Sequence, residues 1–250
     1  MTVVVGGVSE LFQSDLDLGR LAVERLSLED LGPGVVVEEL HYGAVAVAQR
    51  LEDLCPRALV LISAVRRGRP AGTVERRRVD PPNLSPAQVQ EAVGDAVTGY
   101  VHVDLLVEIA TGFGVLPHRT VAVEVEPEST GSGEGLSPAA SAGLEEALVV
   151  VRTEVRRLPL LGLAEELRPL VRDDRLEGST AVDLVRDLLD DLNRLDRDGR
   201  WGHAFAHRDQ LRFAITAGET SENMEHRDWA LWWTLIEELD RLQAQEAVTP

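Results

Sequence analysis

The run A-L-V-L-I-S-A-V, from Ala58 to Val65, constrains this chain most. Its near-continuous apolar character suits a strand covered on both faces, as in a parallel sheet with helices on each side. The surrounding pattern agrees. Thr2 to Gly7 reads as a buried strand, Leu18 to Leu26 as a helix, Val35 to Leu40 as a strand and Ala44 to Leu54 as a helix with apolar residues at helical spacing. G-T-V-E-R-R-R-V, ending at Val79, alternates weakly and reads as an edge strand, with Arg76, Arg77 and Arg78 as its solvated charge. Ser85, Pro86 and Gln88 supply a helix cap, a first-turn proline and a residue that reaches back to the cap. A helix over Val103 to Ala110, a strand from Thr120 leading into a loop near Ser129, and a helix over Pro138 to Val155 follow. This order predicts an α/β fold, an open and mainly parallel sheet sandwiched by helices.

After R-R-L-P-L-L-G no convincing strand is seen, so residues 1–157 are expected to form the α/β domain and 158–250 an acidic helical C-terminal extension. Thr180 can cap a helix that aligns Val182, Val185, Leu188, Leu189 and Leu192 along one stripe. In the final pattern, Trp229, Trp232, Trp233, Ile236 and Leu239 share a helical face. Trp229, Trp232 and Trp233 are therefore candidates for partner binding, set against the alternative that the stripe packs onto the other helices or the sheet domain. His203 and His207, in H-A-F-A-H, fall on one face if the segment is helical, but a third metal ligand is not identifiable there.

The 25 basic residues, all arginine, face 43 acidic ones, a net charge of −18. Such a chain repels phosphates instead of releasing counterions from them, so no nucleic-acid partner is expected. Its apolar runs fall far short of the roughly 20 residues needed to span a bilayer. With no basic n-region of a signal peptide, the expectation is a cytoplasmic protein without membrane insertion. Cys55, the single cysteine, reads as a buried structural thiol.

The opening stretch G-G-V-S-E-L-F-Q-S-D-L-D-L-G contains neither G-x-G-x-x-G nor G-K-[ST], and the chain has no G-x-S-x-G, C-x-x-C or H-E-x-x-H. In an open parallel sheet, ligands gather at the carboxyl ends of strands. That rule nominates Asp15 and Asp17, the end of the central strand at Ser63, and His102. Carboxylate and imidazole donors together would suit nickel or zinc. Taken singly, each acid also serves as a helix cap or a favourable charge at a helix amino end, and His102 as a hydrogen-bonded structural residue.

Four stretches, in order, give the chain a resemblance to a known family. They are V-V-G-G-V-S-E-L-F-Q-S-D-L-D-L-G-R-L-A-V-E-R-L, H-Y-G-A-V-A, A-L-V-L-I-S-A-V-R-R-G-R-P-A-G-T-V and V-E-P-E-S-T-G-S-G-E-G-L-S-P, within about residues 1–157. Residues 1–157 resemble the hydrogenase maturation endopeptidases, nickel-recognising proteases that trim [NiFe]-hydrogenase large-subunit precursors. The resemblance implies a compact α/β sandwich and three residues that bind nickel already held by the precursor. The equivalent positions are Leu16, Ser63 and His102, so two of the three lack a carboxylate. Asp15 keeps the preceding acid, Ser9 and Glu10 replace the family's G-N, and His41 replaces the aspartate of D-G-G-T.

Asp15, Asp17 or Glu10 could supply a substitute carboxylate, although moving one residue along a helix turns a side chain by roughly 100°. The reading is a hydrogenase maturation protein, degenerate as a protease, that binds the large-subunit precursor or another maturation factor. No resident cofactor is expected, and nickel would bind only if the site is rescued. An active, divergent nickel-dependent endopeptidase using Asp15 or Asp17 with His102, and a structural or assembly subunit, are the competing readings.

Overall fold

A computed structural model of the chain describes residues 2–97, 99, 101–171, 180–217 and 226–246, the side chains of 226–229 excepted. The chain packs as two units, Met1–Val155 and Arg156–Pro250.

The first unit is built on five strands: β1 (Val3–Gly7), β2 (Val35–Glu39), β3 (Ala58–Ala64), β4 (Val74–Val79) and β5 (Arg119–Val125). Their order is β2-β1-β3-β5-β4; all pairs are parallel except β4–β5. The apolar run at β3 lies in the middle and is buried at every residue, as its composition requires. The basic strand β4 is the antiparallel edge.

Because successive side chains in a strand point to opposite faces, β1, β3 and β5 feed two separate cores. Val5, Val60, Ile62, Val121 and Val123 pack against α1 (Leu18–Leu26) and the first part of α5 (Pro138–Val171). Val4, Leu59, Leu61 and Ala122 pack against α2 (Ala44–Leu54), α3 (Pro86–Ala96) and α4 (Val103–Gly112). The capping box forms as expected: Ser85 Oγ accepts from Gln88 N, and Gln88 Oε1 accepts from Ser85 N.

Two glycines set how closely α1 meets the sheet. A Cβ on Gly7 would come within 2.2 Å of the Gly19 carbonyl oxygen, and one on Gly19 within 2.4 Å of the Val8 oxygen and 2.8 Å of the Ile62 oxygen. Without side chains there, the amino end of α1 rests directly on the carboxyl ends of β1 and β3. That is the point where the strand order reverses and where ligand crevices form in such sheets.

The second unit contains the rest of α5, then α6 (Thr180–Asp198), α7 (Ala204–Ala217) and α8 (His226–Glu246). Its core takes the expected stripe Val182, Val185, Leu188, Leu189 and Leu192, together with Leu160, Leu167, Leu211, Trp232, Ile236 and Leu239. Helix α5 does not end near Val155 as its sequence suggested. It continues through Pro159 and Pro169, each of which removes a backbone hydrogen bond, because Leu158, Leu160, Leu161, Ala164 and Leu167 are buried along it. Among the described residues, no helix is long and apolar enough to cross a membrane.

Candidate functional site

The opening loop closes back onto the chain through a short 3-10 turn, Ser14–Asp17. Asp15 is fully buried, and both its oxygens are occupied. Oδ2 accepts from Glu128 N (2.8 Å), Ser129 N (2.8 Å) and Ser137 Oγ (2.9 Å), and Oδ1 accepts from Ser137 N (2.6 Å). Burial by itself would raise the Asp15 pKa, but the hydrogen bonds from Ser129, Ser137 and Glu128 outweigh it and hold the carboxyl below its usual value. The same clamp fixes two non-glycine residues at positive φ, Phe12 (61°) and Ser14 (46°); the Gly133 amide donates to Phe12 O, and the Ser14 amide to Gly133 O. Asp15 thus latches the opening loop to residues 128–137.

Asp17, one residue past Leu16, faces Arg20, whose Nε and Nη2 donate to its carboxylate at 2.6–3.0 Å. Leu16 is half-buried against the core between the sheet, α1 and α5. Ser9 Oγ accepts from Arg20 N, and Glu10 N donates to Leu16 O, so the replaced G-N positions are part of the same turn. His41 Nδ1 lies 3.2 Å from Glu39 Oε2.

At the carboxyl end of β3, the buried Ser63 hydroxyl donates to Val8 O across the β1–β3 crevice at 2.7 Å, with Ala64 O at 3.3 Å. A hydroxyl has a single proton, and here it serves a carbonyl. His102 caps α4: its Nδ1 accepts from Leu105 N at 3.2 Å. A backbone N–H can only donate, so the neutral ring carries its proton on Nε2. A metal-bound histidine needs the reverse, with one nitrogen free to ligate and the other donating its proton. Among the described residues, no three His, Cys, Asp or Glu side chains group as a metal site. The expected ligands Asp15, Asp17 and His102 are thus each committed to a separate contact, Asp15 to residues 128–137, Asp17 to Arg20 and His102 to the Leu105 amide.

Between the Ser63 and His102 positions lies an ion network that the sequence reading missed. Glu124, in register with Ser63 and 1% exposed, accepts from Arg67 Nε and Nη2 (3.0 and 2.8 Å) and from Arg77 Nη2 (2.8 Å). Arg67 also holds Asp104, two residues after His102, with two bonds of 2.8 and 2.9 Å. Glu126 accepts from the amides of Arg67 and Gly68 and from Arg69 Nε. Hydrogen bonds from Arg67 hold the Asp104 carboxyl low; for Glu124, burial pushes upward, and the bonds from Arg67 and Arg77 prevail and lower it. Two glutamates at alternate positions of the otherwise apolar T-V-A-V-E-V-E were the available signal, because buried carboxylates need partners.

The reading of Arg76, Arg77 and Arg78 as a solvated edge is therefore corrected. Arg76 pairs with the buried Glu154 at 2.8 Å, Arg77 with Glu124, and Arg78 donates to the carbonyls of His118 and Thr120. Cys55 is also corrected: it is exposed, at the left-handed C-cap of α2, where its thiol faces Glu52 O. Extending the helix by a residue of positive φ turns that side chain away from the core.

No family model matches the chain, and no curated protein matches it in sequence. A solved endopeptidase from Escherichia coli is similar at 24% identity over 64% of this chain and 94% of that one, with a TM-score of 0.50. The chain contains that endopeptidase's fold. The hydrogenase maturating endopeptidase HybD from E. coli is similar at 22% identity over 63% and 93% of the two chains, TM-score 0.48. The [NiFe] hydrogenase maturation protease HybD from Thermococcus kodakarensis shows 16% identity over 62% and 99%, TM-score 0.45.

In the second unit, the three tryptophans separate. Trp232 is 1% exposed and belongs to the core, which corrects its assignment as a docking residue, while Trp233 next to it is 39% exposed. Adjacent helical positions lie roughly 100° apart, so at the margin of the buried stripe one ring enters the core while its neighbour reaches solvent. The side chain of Trp229 lies outside the described residues.

Proposed function

We infer that this is a hydrogenase-maturation protein that uses the endopeptidase fold to bind a protein and does not cleave it. The partner is the [NiFe]-hydrogenase large-subunit precursor or another maturation factor, and nickel enters as cargo of that precursor. The observation that carries the reading is the closure of the three expected ligand positions. Leu16 has no lone pair, the Ser63 hydroxyl is spent on Val8 O, and His102 presents its Nδ1 to a helix amide. Asp15 is a latch and Asp17 is paired with Arg20, so neither stands ready to substitute. The ordered motifs of the first 157 residues and the shared fold support the choice of partner.

The test is incubation with a nickel-loaded large-subunit precursor, following both complex formation and loss of the carboxyl-terminal peptide. Stable binding with the precursor left intact is the expected result. Trimming that disappears in Asp17→Ala would overturn the reading in favour of an active enzyme.

A further inference from the structure

His203 and His207 of the second unit sit outside the site described above, and the fold arranges them as a pair. His203 immediately precedes α7, and His207 N donates to His203 O at 2.9 Å, so the two lie one helical turn apart. Their ring centroids are 6.1 Å apart. Behind His207 lies Asp191 of α6, fully buried, with Oδ2 2.8 Å from His207 Nδ1 and Oδ1 2.9 Å from Arg194 Nη1. Gly202 (φ +54°) allows this approach, because a Cβ there would stand 2.6 Å from Asp191 Oδ1.

A carboxylate that accepts from Nδ1 fixes the tautomer. It places the proton on Nδ1 and leaves the Nε2 lone pair of the partly exposed His207 free, the arrangement that prepares a histidine to ligate a metal. This is the opposite of His102, whose Nδ1 is the acceptor. His203, exposed and one turn away, supplies the second imidazole. Two imidazoles bound through Nε2 at about 2.1 Å place their centroids roughly 5.2 Å apart at a tetrahedral angle. The observed spacing is wider by about 1 Å, which a rotation of the exposed His203 ring closes.

We propose that His203 and His207, with Asp191 orienting His207, form a two-imidazole site for a borderline divalent metal ion such as nickel(II) or zinc(II), its remaining positions filled by water or an incoming ligand. The donor set selects such ions over magnesium or calcium, which prefer oxygen. The chain's charge of −18 attracts cations in general, so selectivity is the more telling property.

Isothermal titration of the full chain with nickel(II) chloride, then with magnesium chloride, tests this. One nickel ion per chain should bind and magnesium should not displace it; His203→Ala and His207→Ala should each weaken binding at least tenfold. Asp191→Asn should weaken it by about 10–100-fold, since an amide orients the ring less firmly. If Asp191→Asn fails to fold, the exposed His203→Ala still decides. Nickel affinity unchanged in both histidine variants, or no nickel bound by the parent protein, would overturn the proposal.

Discussion

Asp15→Asn separates a latch from a ligand. An amide oxygen turned toward Glu128 N, Ser129 N and Ser137 Oγ keeps those acceptor contacts, but its NH2 then meets Ser137 N, donor against donor. One bond to a charged acceptor is lost, at roughly 1.5–3 kcal/mol, and the part-buried Ser137 amide is left without an acceptor, at roughly 1–3 kcal/mol. A combined loss of about 3 kcal/mol corresponds to a fall in Tm of roughly 6–12 °C for a chain of this size. Thermal unfolding by circular dichroism measures the fall, and amide hydrogen exchange localises it. Protection should drop at Glu128, Ser129 and Ser137 before it drops in β3. Because the folded carboxyl titrates below its ordinary value, this stability is fully present above about pH 4 and is lost as pH falls through the lower folded value. Asp15→Asn should therefore flatten the acid limb of the stability curve. An unchanged Tm together with lost nickel affinity would refute the latch and make Asp15 a ligand.

His102→Asn should stay within about 0.5 kcal/mol of the parent in urea unfolding, because asparagine caps a helix as well, whereas His102→Ala should cost about 1 kcal/mol; equal losses in the two variants would contradict the capping role. Gly19→Ala should lower stability by roughly 2 kcal/mol or more, since its Cβ meets backbone oxygens of Val8 and Ile62 that cannot move aside, and an unchanged denaturation midpoint would show that α1 sits farther from the sheet. Glu124→Gln leaves Arg67 and Arg77 facing one another without their shared buried carboxylate, so a loss of about 3–5 kcal/mol is expected. The carboxyls of Glu124 and Asp104 both titrate low when folded, so the network's contribution is complete above the ordinary Glu value of 4.5 and is lost as pH falls through the lower folded values; a urea midpoint flat from neutral pH into strong acid would contradict this.

Much of the fold is a matter of local pattern. The run at β3 reads as a central strand, Ser85-Pro86 with Gln88 reads as a helix start, and the spacing from Val182 to Leu192 marks a single buried stripe; the structure places all three so. Periodicity reports which face of an element is apolar, and burial follows from that. Local pattern ended the helix near Val155, before Pro159, whereas tertiary burial carries α5 through that proline, and local pattern did not separate Trp232 from Trp233.

The site depended on pairings that no window of sequence contains. Asp15 finds its partners 113 to 122 residues away, Ser63 finds Val8 55 residues away, and Arg67 meets Glu124 57 residues on. Sequence by itself determined that this chain builds a helix-covered parallel sheet and that Leu16 and Ser63 lack the carboxylates its resemblance calls for. Only the tertiary structure decided which way each remaining polar group points. A carboxylate or an imidazole can serve a backbone amide or a metal, and the partner brought within hydrogen-bond distance settles which it serves.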